Sequence, residues 1–114
     1  YIDIYYLHQP DDDTPIEVTW RALESLVSSG KVRYIGVSNF AAWQIVEAVN
    51  LARNRGWTPP TVTQALHNAI SRAVETELLP MTRSYDIGTC MYNPLAGGLP
   101  TGKYKIGNTS FALK

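Results

Sequence analysis

The sequence predicts an α/β fold: about four parallel strands with three intervening helices, forming part of an eight-stranded (β/α)8 barrel of the TIM type. Short runs rich in β-branched and aromatic residues alternate with helical amphipathic patterns, which calls for a parallel sheet joined by right-handed crossovers. The strands start near residues 1, 33, 60 and 87, roughly 27 to 32 residues apart, the length of one strand-helix unit with its loops. Polar side chains collect where the strands end: His8, Ser38 with Asn39, Gln64 within the third strand, and Tyr92 with Asn93. A doubly wound sheet usually places its phosphate-binding glycines after the first strand, whereas a barrel gathers working residues at the carboxyl ends of all its strands.

The elements follow in order. "YIDIYYLH" (1–8) is a buried-strand pattern bounded by "QPDDD". The first helix is expected to open with Thr14 as N-cap, Pro15 at the first helical position and Glu17 completing a capping box. Ile16, Trp20, Leu23 and Val27 then share a face, until Gly30 supplies a left-handed stop. "VRYIGVSN" (32–39) is the second strand and "AAWQIVEAVNLARNR" (41–55) the second helix, ended by Gly56. "PTVTQAL" (60–66) is the third strand, "VETELLPMTRSY" (74–85) the third helix, and "IGTCMYN" (87–93) the fourth strand. Pro80 disturbs the first turn of that third helix.

Composition excludes several classes of function. With 45% hydrophobic and 18% charged residues the 114-residue chain reads as globular protein, not a disordered segment. Ten basic side chains against ten acidic ones leave no electrostatic footprint for nucleic acid or an anionic membrane. Charged and polar residues interrupt every apolar stretch, so no transmembrane segment is expected, and the N-terminus lacks the basic region of a signal peptide. A lone cysteine, Cys90, fits a reducing, cytoplasmic setting and reads as a small core residue of the fourth strand. Four strands and three helices amount to about half of the roughly 250 residues of a complete barrel. Residues 1–114 are therefore expected to be a fragment of one domain, cut within a strand.

"AGGLPTGKY" (96–104) comes one residue short of a nucleotide-binding P-loop: Gly97, Gly102 and Lys103 fit, but Tyr104 stands where a magnesium-binding hydroxyl is needed. No helical pattern follows to aim amides at a phosphate. The glycines at 97, 98 and 102 with Lys103 still suit either close approach to an anion or a tight turn, and the loop alone does not choose. His8, Asn39, Gln64 and Tyr92 would converge on one pocket mouth if their strands are neighbours, with two carboxamides and one flat ring suited to an aromatic carboxamide such as nicotinamide. Asp11, Asp12 and Asp13 are consecutive, share no face, and read as a solvated loop; no metal site is expected. His67 reads as a rim or surface residue, and Tyr5 and Tyr6, mid-strand, as weak candidates for a general acid.

The stretches "YLHQPD", "GKVRYIGVSNF", "PTVTQALHNAISRAVETELLP" and "YNPLAGGLPTGKY", in this order and spacing, resemble the aldo-keto reductases over nearly the whole chain. The last two are most similar to the branch of aflatoxin aldehyde and succinic semialdehyde reductases. The resemblance implies a (β/α)8 barrel of which this chain carries strands four to seven, and reduction of aldehydes or ketones to alcohols by hydride transfer from NADPH (the cofactor NADP). It implies that His8 binds and orients the substrate carbonyl. Ser38, Asn39 and Gln64 would hold the nicotinamide carboxamide, and Tyr92 would stack on its ring. Asn93, Pro94, Leu95, Ala96, Gly97, Gly98, Leu99, Thr101, Gly102 and Lys103 would run along the pyrophosphate, which needs no magnesium. The family's acid, a tyrosine tuned by a lysine and an aspartate, would lie before this stretch, so the isolated chain is expected to be inactive. Pro100 stands where the branch usually has leucine, and His67 where it usually has tyrosine. Two alternatives accompany this reading: a non-catalytic NADPH-binding regulatory subunit on the same barrel, such as the cytoplasmic subunits of potassium channels, and an inactive truncated product. Those channel subunits carry asparagine at the position of His8. The expected partner is a small carbonyl compound; the oligomeric state is not legible.

Overall fold

A computed structural model describes residues 1–102 and 104. Four strands, β1 (Ile2–Leu7), β2 (Val32–Ser38), β3 (Pro60–Leu66) and β4 (Gly88–Tyr92), form one sheet in the order β1-β2-β3-β4, every pair parallel. Three helices fill the crossovers: α1 (Ile16–Ser28), α2 (Ala42–Arg55) and α3 (Leu78–Tyr85). Each strand pairs with the next in sequence, so the order never reverses as it does in a doubly wound sheet, and right-handed crossovers put all three helices on one face. The result is an arc of a barrel.

Alternation along the strands divides the sheet cleanly. Ile35 and Val37 of β2 and Ala65 of β3 face the helices and pack with Trp20, Ile45, Ala48, Ala52, Leu78 and Met81 in one buried cluster. Tyr6, Gly36, Val62 and Gly88 stand in register on the other face. No helix covers that face, and Ile2, Ile4 and Tyr34 on it are 50%, 41% and 52% exposed. The register of β2 against β3 is interrupted between Ile35 and Gly36: Ile35 pairs with Pro60, yet Gly36 pairs with Val62, leaving Thr61 as an extra residue in β3.

α1 is tied to the α2–β3 connection through both backbone polar groups of one residue, Thr58. The Trp20 indole Nε1 donates to the Thr58 carbonyl at 2.9 Å, and the Glu24 carboxylate accepts from the Thr58 amide at 2.7 Å. That amide, followed by the Ser28 hydroxyl, holds the Glu24 carboxyl below the ordinary range, with burial opposing. Gly30 and Gly56 close α1 and α2 in the left-handed region, at φ 73° and 67°. One buried polar atom among the described residues lacks a partner: the hydroxyl of Thr63, on the helix-facing side of β3.

Three local expectations need correction. Thr14 does not cap α1: the helix opens after Pro15 with no side-chain cap. Thr14 instead hydrogen bonds the Asp11 side chain, while Glu17 reaches Arg55 at 2.7 Å. The helix expected over 74–85 is two pieces, a 3-10 turn at Ala73–Glu75 and α3 from Leu78. Pro80 thereby falls in the first turn of α3, where its missing amide hydrogen has no intrahelical partner to lose. Cys90 is exposed, not a core residue, because Gly88, Cys90 and Tyr92 occupy the side of β4 away from the helices.

Candidate functional site

At the carboxyl ends of all four strands, Tyr6, His8, Ser38, Asn39, Gln64 and Tyr92 line one pocket of about 320 Å³. Register explains the gathering: Ser38 pairs with Gln64, Leu66 with Tyr92 and Tyr6 with Gly36, which brings like-facing residues of neighbouring strands side by side. The Tyr6 ring lies so close over Gly36 that a Cβ there would meet Tyr6 Cε1 at 2.6 Å. Glycine at this point lets the ring lie flat on the sheet beneath the pocket.

A hydrogen-bonded chain runs across the mouth. The Tyr92 hydroxyl donates to Asn39 Oδ1 at 2.7 Å, and Asn39 Nδ2 donates to the His8 carbonyl at 2.9 Å and to the Ser38 hydroxyl at 3.2 Å. Asn39 takes a left-handed backbone, φ 60°, which asparagine tolerates better than most residues, and its amide still continues the ladder to the Gln64 carbonyl at 3.2 Å. Both Nδ2 donors of Asn39 are thus occupied by its own chain, and its remaining capacity toward a ligand is as acceptor. The Gln64 carboxamide and the His8 imidazole make no hydrogen bond among the described residues. The phenol of Tyr6 is pushed up in pKa, first by burial and then by the Cys90 thiol it contacts, so it keeps its proton through the neutral range. Tyr6, a weak acid candidate from its place in mid-strand, shares the face of His8 by alternation and lines the pocket with it.

Behind the pocket, the side chain of buried Asn68 joins two loops. Its Oδ1 accepts from the amides of Ile70 and Ser71 at 3.0 and 2.8 Å, and its Nδ2 donates to the Asn93 carbonyl at 3.1 Å. His67 pairs with Glu75 at 2.8 Å, and Arg72 grips the same carboxylate through Nε and Nη2 at 2.8 and 2.9 Å. Arg72, then His67, hold the Glu75 carboxyl down to about 2.

The glycine-rich stretch folds as a 3-10 segment, Ala96–Thr101, with non-helical backbone at Gly97 and Gly98. Asn93, Ala96, Gly97, Gly98 and Gly102 all have positive φ. The Ala96 amide donates to the Asn93 carbonyl, the Gly97 amide to Asn93 Oδ1 and the Gly98 amide to the Leu95 carbonyl, at 3.0, 3.0 and 2.7 Å. These three donors maintain the turn itself. Tyr104, which spoils the P-loop pattern, folds its hydroxyl back onto the Gly97 carbonyl at 3.1 Å. Lys103 lies outside the described residues. Among the described residues no group of three His, Cys, Asp or Glu side chains is placed to hold a metal ion, and no helix is long and apolar enough to cross a membrane.

A model of the aldo/keto reductase family matches residues 1–112, nearly the whole chain. The chain belongs to the aldo/keto reductase family. Its sheet and helices are thus an arc of a TIM barrel of this family, with the pocket at the carboxyl ends of the strands. Aldo-keto reductase family 7 member A3 of Homo sapiens is 50% identical over 104 residues, covering 91% of this chain and 31% of that protein. Aflatoxin B1 aldehyde reductase member 2 of Mus musculus is 49% identical, over 91% of this chain and 28% of its own length. A probable voltage-gated potassium channel subunit beta of Oryza sativa subsp. japonica is 41% identical, over the whole of this chain and 36% of its own length. The chain therefore spans about a third of the length of these relatives.

Proposed function

We propose that this chain supplies four of the eight barrel strands, with three helices between them, of a carbonyl reductase that converts aldehydes or ketones to alcohols with NADPH, working in a reducing compartment such as the cytoplasm. The observation that carries the reading is the convergence of His8, Ser38, Asn39, Gln64 and Tyr92, from four separate strand ends, on one pocket of about 320 Å³.

The donor set fits nicotinamide. The Gln64 carboxamide, uncommitted among the described residues, can pair in both directions with another carboxamide, while the Ser38 hydroxyl and Asn39 Oδ1 offer further acceptors for its amide hydrogens. The Tyr92 hydroxyl is anchored on Asn39, which fixes the plane of its ring and presents a flat face for stacking. When bound, the nicotinamide supplies the hydride delivered to the carbonyl carbon. The His8 imidazole donates to the substrate carbonyl oxygen and orients it, and the resemblance leaves protonation of that oxygen to a tyrosine on residues outside this chain. The resemblance implies that the segment from Asn93 to Gly102 runs along the pyrophosphate; since amides 96–98 already serve the turn, that contact falls to other groups of the segment.

The test is NADPH oxidation by the longer polypeptide containing this chain, across a panel of aldehydes. His8→Ala is expected to lower turnover with NADPH affinity retained, and Gln64→Ala to weaken NADPH binding. A polypeptide that binds NADPH and never turns over would overturn the enzyme reading in favour of a regulatory subunit. The isolated chain is expected to show no turnover, and reduction by it alone would contradict the placement of the acid outside it.

A further inference from the structure

A second pocket, of about 400 Å³, lies on the helix side of the sheet, between the loop after β1 and the first turns of α1 and α2. Alternation along β1 separates it from the first: Tyr6 and His8 turn toward one pocket, Leu7 toward the other. Its floor is apolar, built on Leu7, Phe40 and the fully buried Trp20. Its wall is the Trp43 ring, which stays 62% exposed although it borders a cavity.

The charges on the lining are all of one sign. Asp11, Asp12 and Glu47 line the pocket, and no Lys, Arg or His does. None of the ion pairs among the described residues uses these three carboxylates, so no basic side chain of the fold neutralises them. Glu47 is four residues beyond Trp43 on α2, which puts carboxylate and indole on the same helix face. Three carboxylates outweigh the roughly half-unit positive charge of each of the two helix N-termini that open here, so an anion is disfavoured, and a neutral apolar guest would gain the floor and the ring while stripping water from carboxylates it cannot pair. A cation on an apolar body satisfies all three features, because an indole face attracts positive charge through its quadrupole. The volume matches a small molecule.

We infer that this pocket binds a small organic cation of the alkylammonium class, seated over the Trp43 indole with its charge toward Glu47 and Asp12. The site does not depend on the nicotinamide reading: it lies across the sheet from His8 and shares no lining residue with that pocket.

Choline and its neutral isostere 3,3-dimethylbutan-1-ol, which differ in charge but hardly in shape, are the probes. They are titrated into the isotope-labelled chain while the Trp43 indole resonance and the backbone amides of Asp12 and Glu47 are followed, the amides serving as the reporter in the variants without the indole. Saturable shifts with choline are expected, with the isostere at least about 10-fold weaker, inside the roughly 2- to 30-fold range that cation–π contacts provide. Trp43→Leu keeps an apolar side chain at this exposed position and is expected to lose most of the affinity with the spectrum otherwise unchanged. Glu47→Gln, which keeps the ring, is expected to weaken choline by about 3-fold and leave the isostere unmoved. Equal affinity for the two probes, or choline binding undiminished in Trp43→Leu, overturns the inference. So does a shift that grows without saturating, the sign of diffuse attraction to the acidic loop.

Discussion

Gly36→Ala is the sharpest test of how the pocket floor is built. A Cβ at this position would stand 2.6, 2.7 and 2.9 Å from Cε1, Cδ1 and Cζ of Tyr6, all well inside contact distance. Because the backbone of Gly36 is pinned in the middle of the sheet by β1 and β3, the Tyr6 ring has to yield. Overpacking of this kind costs about 1–3 kcal/mol. With a urea m-value of about 1.5 kcal/mol/M, suited to a small domain, the unfolding midpoint falls by about 0.7–2 M. The assay is urea unfolding followed by far-UV circular dichroism. The decisive comparison is a double-mutant cycle with Tyr6→Ala, which removes the ring the new methyl strikes. In the Tyr6→Ala background the same Gly36→Ala change is expected to cost less than about 0.5 kcal/mol, the size of an ordinary surface substitution. Equal losses in both backgrounds would refute the reasoning, since the penalty would then come from the sheet backbone and not from the ring.

Thr63→Val replaces an orphaned buried hydroxyl by a methyl of nearly the same shape, and is expected to raise stability by about 1 kcal/mol in the same unfolding assay. Asn68→Ala leaves two loop amides and the Asn93 carbonyl without their partner, and should cost about 1–3 kcal/mol while speeding hydrogen exchange at Ile70 and Ser71. The Glu75 carboxyl is expected to titrate near pH 2 by carbon-detected NMR, and Arg72→Ala should move it back up toward the ordinary glutamate range. Since its folded pKa lies below the unfolded one, its contribution to stability is present above the ordinary glutamate range and is lost as pH falls toward about 2.

β3 matches its predicted limits at both ends, because proline and a β-branched run mark it without ambiguity. The strands expected to run through His8, Asn39 and Asn93 stop just before them: Asn39 and Asn93 leave the ladder in left-handed conformations, which a reading of hydrophobicity does not register. The face borne by His8, Gln64 and Tyr92 was legible from period-two alternation, and the same rule applied to Cys90 would have placed it on the open side. Thr14 misled because a threonine before proline satisfies the cap pattern while its hydroxyl has a nearer partner in Asp11. The pocket beside Trp43 left no linear signature, since its carboxylates and rings come from three stretches that only the packing of α2 against the β1 loop brings together. Nor could composition show that Asn39 spends both its amide hydrogens on its own chain.

The supernumerary Thr61 has a consequence out of proportion to its size. Were pairing to carry on from Ile35 with Thr61 taken into the ladder, Thr61 would stand opposite Gly36 and Val62 opposite Val37, exchanging the two faces of everything downstream. Gln64 would be swung into the hydrocarbon layer beneath the helices, and Ala65 out over the cleft. Point replacements at 61 should thus be forgiven, and even loss of that residue would bring Pro60 directly onto Val62 with the downstream register kept, whereas a ladder without the bulge would turn the strand inside out.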